Sequence, residues 1–180
     1  MRLFIWSLVS GLLVAILVIQ WPPAWEYAPG LVFGLTMAAY FIPEKWKDRS
    51  RRFWGILQLA GFVVLSYAAY VISLQEAEWV LGTNGFASFN SYNQSSALAA
   101  LFVGSFVGGC IGAFVLAIGI RYFLFRFDLV RGLFVFSIFS GMLGSAIVVG
   151  FEMFGFIPQF LFPVWHAGVA GVILYLRRIA

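Results

Sequence analysis

The sequence predicts an all-α fold: a polytopic integral membrane protein built as a bundle of six transmembrane helices, with the N-terminus and C-terminus both cytoplasmic. Three observations carry that expectation. First, 63% of the 180 residues are hydrophobic and only 10% are charged, far outside the composition of a soluble domain. Second, the apolar runs are continuous and long, and a helix rising about 1.5 Å per residue needs roughly 20 residues to cross a hydrocarbon core of roughly 30 Å. A membrane β-barrel would instead alternate apolar and polar positions over short segments. Third, all eleven Lys and Arg residues fall in alternate connections. They are Arg2, then Lys45, Lys47, Arg49, Arg51 and Arg52, then Arg121, Arg126 and Arg131, and finally Arg177 and Arg178. The intervening connections hold none, which is the pattern of cytoplasmic against outer loops.

Taken in order, the first span covers residues 3–19. A basic start followed by an apolar run also fits a secretory leader, but Trp21-Pro22-Pro23-Ala24-Trp25 offers no small-x-small cleavage site, so a retained helix is expected. The second span, 29–42, is short and recruits aromatic residues at both interfaces, with Pro43 expected to close it. The loop after it is the most basic in the chain. The third span, 53–74, leads into the longest expected connection, 75–95, where Thr83-Asn84-Gly85 is a turn signal. Asn93-Gln94-Ser95 matches a glycosylation acceptor, relevant only in a eukaryotic secretory pathway. The fourth span, 96–120, gives way to arginines interleaved with aromatics over 121–131, expected to lie at the cytoplasmic headgroups rather than against nucleic acid. The fifth and sixth spans cover 132–151 and 160–176. The whole chain, 1–180, forms one transmembrane domain on this reading.

The fourth span is the expected packing hub. Ser96, Ala100, Gly104, Gly108 and Gly112 form one row of small residues, and Ser105, Gly109, Ala113 and Ala117 a second, each at steps of four. Lipid tails are as apolar as leucine side chains, so close backbone approach across small residues is a main source of helix association in a bilayer. Gly104, Ser105, Gly108, Gly109, Gly112 and Ala113 are therefore assigned to helix packing. Two small faces also leave room for a membrane-protein partner or a homo-oligomer.

Chemistry-bearing residues are few. With one histidine and one cysteine in the chain, a His- or Cys-based metal site is hard to assemble, and no cofactor is expected. No nucleophile motif or Gly-Lys-Ser/Thr phosphate loop occurs, so the chain is read as non-catalytic. The residual enzymatic possibility is a pair formed by Glu152 and His166. An ionisable group deep in a span is costly and frequently functional, which draws attention to His166. A neutral histidine bonded to a backbone carbonyl, opened by Pro163, is the structural alternative. On the outer face, Glu26, Trp79, Glu152 and His166 are the candidate ligand-binding residues, set among aromatic walls and amides that suit a small-molecule pocket. Lys45, Lys47, Arg49, Arg51, Arg52, Arg121, Arg126 and Arg131 are assigned to topology and lipid headgroups.

In length, span number, cytoplasmic termini and polar outer loop, the chain resembles the substrate-capturing S-subunits of energy-coupling-factor vitamin transporters. The small row Ser7, Gly11, Ala15 is similar in type to the first-helix face through which those subunits dock a partner. That resemblance implies ligand entry from the outer face and energy from a cytoplasmic ATPase reached through a second membrane protein. The six-span layout with a basic tail also resembles cell-shape proteins of the MreD type, although the long connection 75–95 departs from their short loops. The expectation is a small-solute binding or transport module of a bacterial inner membrane, with a structural or assembly subunit of a larger membrane complex as the alternative. The lipid bilayer is its first partner and nucleic acid is not one.

Overall fold

The structure, a computed structural model, describes residues 2–21, 23–24, 27–46, 52–83, 94–154 and 158–179. They form six helices, and no strand occurs among the described residues. The helices are α1 (Arg2–Gln20), α2 (Ala28–Lys45), α3 (Arg52–Thr83), α4 (Gln94–Gly119), α5 (Leu129–Phe154) and α6 (Pro158–Arg178). Four stretches are long and apolar enough to cross a membrane: Arg2–Gln20, Arg52–Ser73, Phe102–Leu124 and Leu129–Ala146. Helix α2 carries Glu44 and Lys45 in its last turn, and α6 runs unbroken past Pro163 and His166 to end at Arg178.

Several helix ends differ from the sequence expectation. Pro43 does not stop α2, which continues to Lys45, with the Trp46 N–H bonded to the Ile42 carbonyl. A proline removes only its own N–H donor and crowds one preceding carbonyl, so a helix held by its neighbours can run past it. The stretch after Leu74, expected as loop, stays helical to Thr83. It holds Gln75, Glu76, Ala77 and Glu78, which are competent helix formers, and polarity alone had suggested a connection. Helix α5 begins at Leu129 instead of residue 132, because the Asp128 carboxylate accepts the Arg131 N–H at 3.1 Å and caps the first turn.

Each helix packs on the next in sequence, and α6 closes the ring against α1, meeting it along much more of its length than it meets α5. Small residues decide how closely these pairs approach. A Cβ on Gly109 would stand 2.8 Å from the Ser140 carbonyl oxygen of α5, and one on Gly112 would stand 2.9 Å from the Ala69 carbonyl oxygen of α3. The two small rows of α4 thus face different neighbours. At the ring closure, a Cβ on Gly11 would stand 2.6 Å from the Phe162 carbonyl oxygen. Inside the ring lie Phe33, Phe41, Phe62, Phe136, Met37 and Ile173, all fully buried. Outside, Val9, Leu12, Val64, Phe134 and Met142 are exposed. Apolar side chains toward the surroundings and buried serines within are the arrangement of a chain whose solvent is lipid.

One end of the bundle collects the described basic residues. Arg177 bridges to Glu44 at 2.8 Å and lies over the Phe41 ring at 5.2 Å, joining α6 to α2. Lys45 donates to Gln58 at 3.0 Å, joining α2 to α3. Partial burial pushes the Lys45 ammonium below its ordinary pKa, and the Glu44 charge opposes that shift. Arg131 reaches the Tyr175 hydroxyl at 3.4 Å, while Arg52 and Arg126 are exposed. Lys47, Arg49 and Arg51 lie outside the described residues. After α4 the chain makes one π-helical turn, Ile120–Leu124, closed by a Phe125 N–H to Ile120 carbonyl bond of 3.0 Å. The wider turn buries Ile120 and Leu124, and the Arg121 guanidinium bonds the Phe127 carbonyl.

The Gly11 contact is with backbone, which cannot swing aside. Gly11→Ala should therefore destabilise the folded protein in detergent by about 1–3 kcal/mol, as overpacking does. Gly171, whose added Cβ would meet nothing within 4 Å, supplies the control: Gly171→Ala should leave the melting temperature unchanged or slightly raised. Equal melting temperatures for the two variants would contradict the packing account.

Candidate functional site

The close approach at Gly11 sets its neighbour Ser10 against α6. His166 is 0% exposed, and its Nδ1 lies 2.9 Å from Ser10 Oγ. Ser10 Oγ also lies 2.9 Å from the Ser7 carbonyl oxygen, to which it donates. A hydroxyl has one hydrogen to give. If it goes to Ser7, the imidazole donates through Nδ1–H and Nε2 is a bare acceptor; if it turns to Nδ1, Nε2 carries the proton. In both tautomers Nε2 has no hydrogen-bond partner among the described residues, although the ring lies beside the Pro29 carbonyl at the start of α2. Phe33 packs edge-on against the imidazole at 5.2 Å between centroids, and Trp165 at 5.4 Å. The histidine is thus held between α1 and α6 in an aromatic enclosure, beside the Pro29 carbonyl of α2.

On the other side of the α2 N-terminus lies a cavity. Helix α3 lines it with Ser66, Ala69, Tyr70 and Ser73, and α4 lines it with Gly109, Gly112, Ala113 and Leu116. Both sets follow the i, i+3, i+4, i+7 spacing of one helix face. Helix α5 adds Phe136 and Ser140, and α6 adds Trp165 and Val169. The space open to the centres of water-sized molecules is ≈ 30 Å³, enough for about two or three waters at roughly 10–15 Å³ each. It exists because glycines at 109 and 112 bring α4 close to α5 and α3 while contributing no side chain to fill the gap between them.

The walls are mainly apolar and aromatic with three serines and Tyr70, and no acidic or basic side chain lines them among the described residues. Ser66 Oγ donates to the Gly30 carbonyl at 3.0 Å. Ser140 is only 3% exposed, and its Oγ has no hydrogen-bond partner among the described residues. A buried hydroxyl left unpaired costs about 1–3 kcal/mol. Trp165 links the two regions, lining the cavity and packing on His166, while its ring lies 6.4 Å from that of Tyr70. Ser66 links them too, since its acceptor Gly30 follows Pro29. The arrangement can bind and orient small hydrogen-bonding molecules; among the described residues, no three of His, Cys, Asp and Glu gather to hold a metal ion.

Of the four ligand-binding candidates read from the sequence, His166 is described in full. Its described side-chain partner is Ser10 of α1, a pairing across 156 positions that the sequence did not flag. Glu26 lies outside the described residues. Trp79 falls in α3 and Glu152 in α5, but their side chains lie outside the described set. Sequence reasoning missed Ser10, Ser66, Ser73 and Ser140, and a usable signal was present: Ser66 and Ser73 bracket Ala69 and Tyr70 on one face of an otherwise apolar helix.

No family model, curated protein or solved structure matches this chain. The class rests on its own geometry: among the described residues, an all-helical protein with four helices fit to span a membrane, carrying a mainly apolar pocket between its helices.

Removing the Ser10 hydroxyl leaves Nδ1 of His166 unpaired as well. Ser10→Ala should cost about 1–2 kcal/mol of stability, and combined with His166→Phe it should cost much less than the sum of the single changes. Thermal melts of the four proteins in one detergent measure this; additive losses would show that the two side chains do not interact.

Proposed function

We propose that the protein is a six-span membrane protein with both termini cytoplasmic that binds or transports a small solute through its interior. The segregation of basic residues supports the topology, as does their clustering at the end of the bundle where α2 and α6 finish and α5 begins. The observation that carries the function is the cavity, which four helices line with serines and aromatic rings among small apolar residues. Structural cores are close-packed, and a packing-only bundle has no use for a void between its helices. Solute sites of membrane transporters form where helices converge within the bilayer. Entry from the outer face, where Glu26, Trp79 and Glu152 are expected, belongs to the same reading. The reading is non-catalytic: the imidazole, the one strong base of the region, is fixed by Ser10 behind Trp165 and lies outside the cavity lining.

The reading is tested by access. Ser140→Cys, in a background where the native Cys110 is replaced by alanine, should react in native membranes with a small neutral methanethiosulfonate reagent, and a lipid-facing control, Met142→Cys, should react far more slowly because its thiol stays protonated in hydrocarbon. Labelling of Ser140→Cys only after denaturation would overturn the solute reading, and a stable larger assembly under those conditions would favour the structural subunit.

A further inference from the structure

The seam between α5 and α6 has a charged end and an open middle. Arg131 of α5 reaches across it to the Tyr175 hydroxyl at 3.4 Å. Three residues farther along α6, Arg178 shares the Tyr175 face, displaced about 4.5 Å along the helix axis. Both arginines are exposed, and neither pairs with a carboxylate among the described residues. Glu44 is taken by Arg177, and Asp128 accepts the Arg131 backbone N–H. Gly168 and Gly171 lie on the same α6 face as Tyr175. At Gly168 the two helices are in contact, since an added Cβ would stand 2.7 Å from Leu143 Cδ2. At Tyr175 they meet again through Arg131. Between these points an added Cβ on Gly171 would meet nothing within 4 Å.

We infer that this seam holds one anionic phospholipid, with its phosphate between Arg131 and Arg178 and an acyl chain in the opening beside Gly171. The stretch Leu129–Ala146 is long and apolar enough to cross a membrane, so Arg131, near its start, stands at headgroup level. A guanidinium presents planar donors matched to phosphate oxygens, and a neutral phenol leaves the Arg131 charge without its complement. A zwitterionic lipid brings an amine that offsets its own phosphate, whereas an anionic one supplies the missing negative charge. The opening beside Gly171 explains why a lipid fits better than a free ion. Half-exposed Phe139 flanks that stretch of α6, and a methylene chain laid there gains dispersion contacts that a bare gap forfeits. None of these residues lines the cavity between α3, α4, α5 and α6, so this site stands or falls separately from the solute reading.

The test is a set of thermal melts of the full chain in a neutral detergent, with dioleoylphosphatidylglycerol, dioleoylphosphatidylcholine or inorganic phosphate added. Phosphatidylglycerol should raise the melting temperature by about 4 °C or more, and the other two by less than half as much. Arg131→Gln and Arg178→Gln should each lose at least half of the phosphatidylglycerol shift. Arg52→Gln, which removes an exposed charge of α3 from the same end of the bundle, should keep it. Gly171→Leu places a side chain in the opening, so it should melt near wild type without lipid and lose at least half of the shift. The inference is overturned by equal shifts with the two lipids, by an equal shift with inorganic phosphate, by an Arg52→Gln loss matching that of Arg131→Gln, or by a full shift in Gly171→Leu.

Discussion

The approach of α1 to α6 at Gly11 is the constraint on which the interior depends. Only hydrogen at that position lets the α1 backbone meet the Phe162 carbonyl and Pro163. The same contact brings Ser10 within hydrogen-bonding distance of His166. Were α1 to stand off by the radius of one methyl group, the imidazole would lose its partner, and the aromatic enclosure formed with Phe33 and Trp165 would loosen. A steric fact about one glycine is thereby transmitted to a polar group and to the indole that walls the cavity. In a bilayer this order of causes is natural. Apolar burial gains little between helices, so geometry is set by where backbones touch, and polar groups take the partners that geometry offers.

The polar content of the interior divides into a satisfied part and an unsatisfied part. Ser66 and Ser145 direct their hydroxyls at helix carbonyls, Gly30 for the first and Phe102 and Gly141 for the second. These bonds tie α3 to α2 and α5 to α4 and are structural. Ser7 Oγ, Ser140 Oγ and His166 Nε2 are different, being buried without a partner among the described residues. Native structures leave few such groups, and each calls for a reason. His166 lies in contact with Trp165, so a change at the imidazole reaches the cavity through that one ring.

How much of this was legible in the sequence follows from what each feature depends on. Membrane character and helical class depend on composition and run length, which are local, and both could be read directly. The small rows of α4 were visible as periodicity, but which neighbour each row meets depends on tertiary arrangement. Helix ends were the weakest reading: polarity after Leu74 argued for a loop, yet helix propensity carried α3 to Thr83, and Pro43 did not stop α2. The site was hardest. A search for charge and metal ligands leads to His166 and to the outer carboxylates. Serines within apolar helices look unremarkable one by one, and Ser66, Ser73 and Ser140 gain meaning only when helices distant in sequence bring them to one cavity.

The ring closes between its first helix and its last, and this orders events during synthesis. Helices α2 to α5 can each settle against the preceding neighbour as they leave the ribosome and enter the bilayer. The α1 surface bearing Ser7 and Ser10 must wait in lipid for α6, with the Ser10 hydroxyl turned back onto its own helix toward the Ser7 carbonyl. That local bond is what a serine uses to tolerate hydrocarbon in the absence of its final partner. A nascent chain halted before α6 would present the face of α1 that later bears the site, making this the stretch on which membrane quality control would recognise an unfinished molecule.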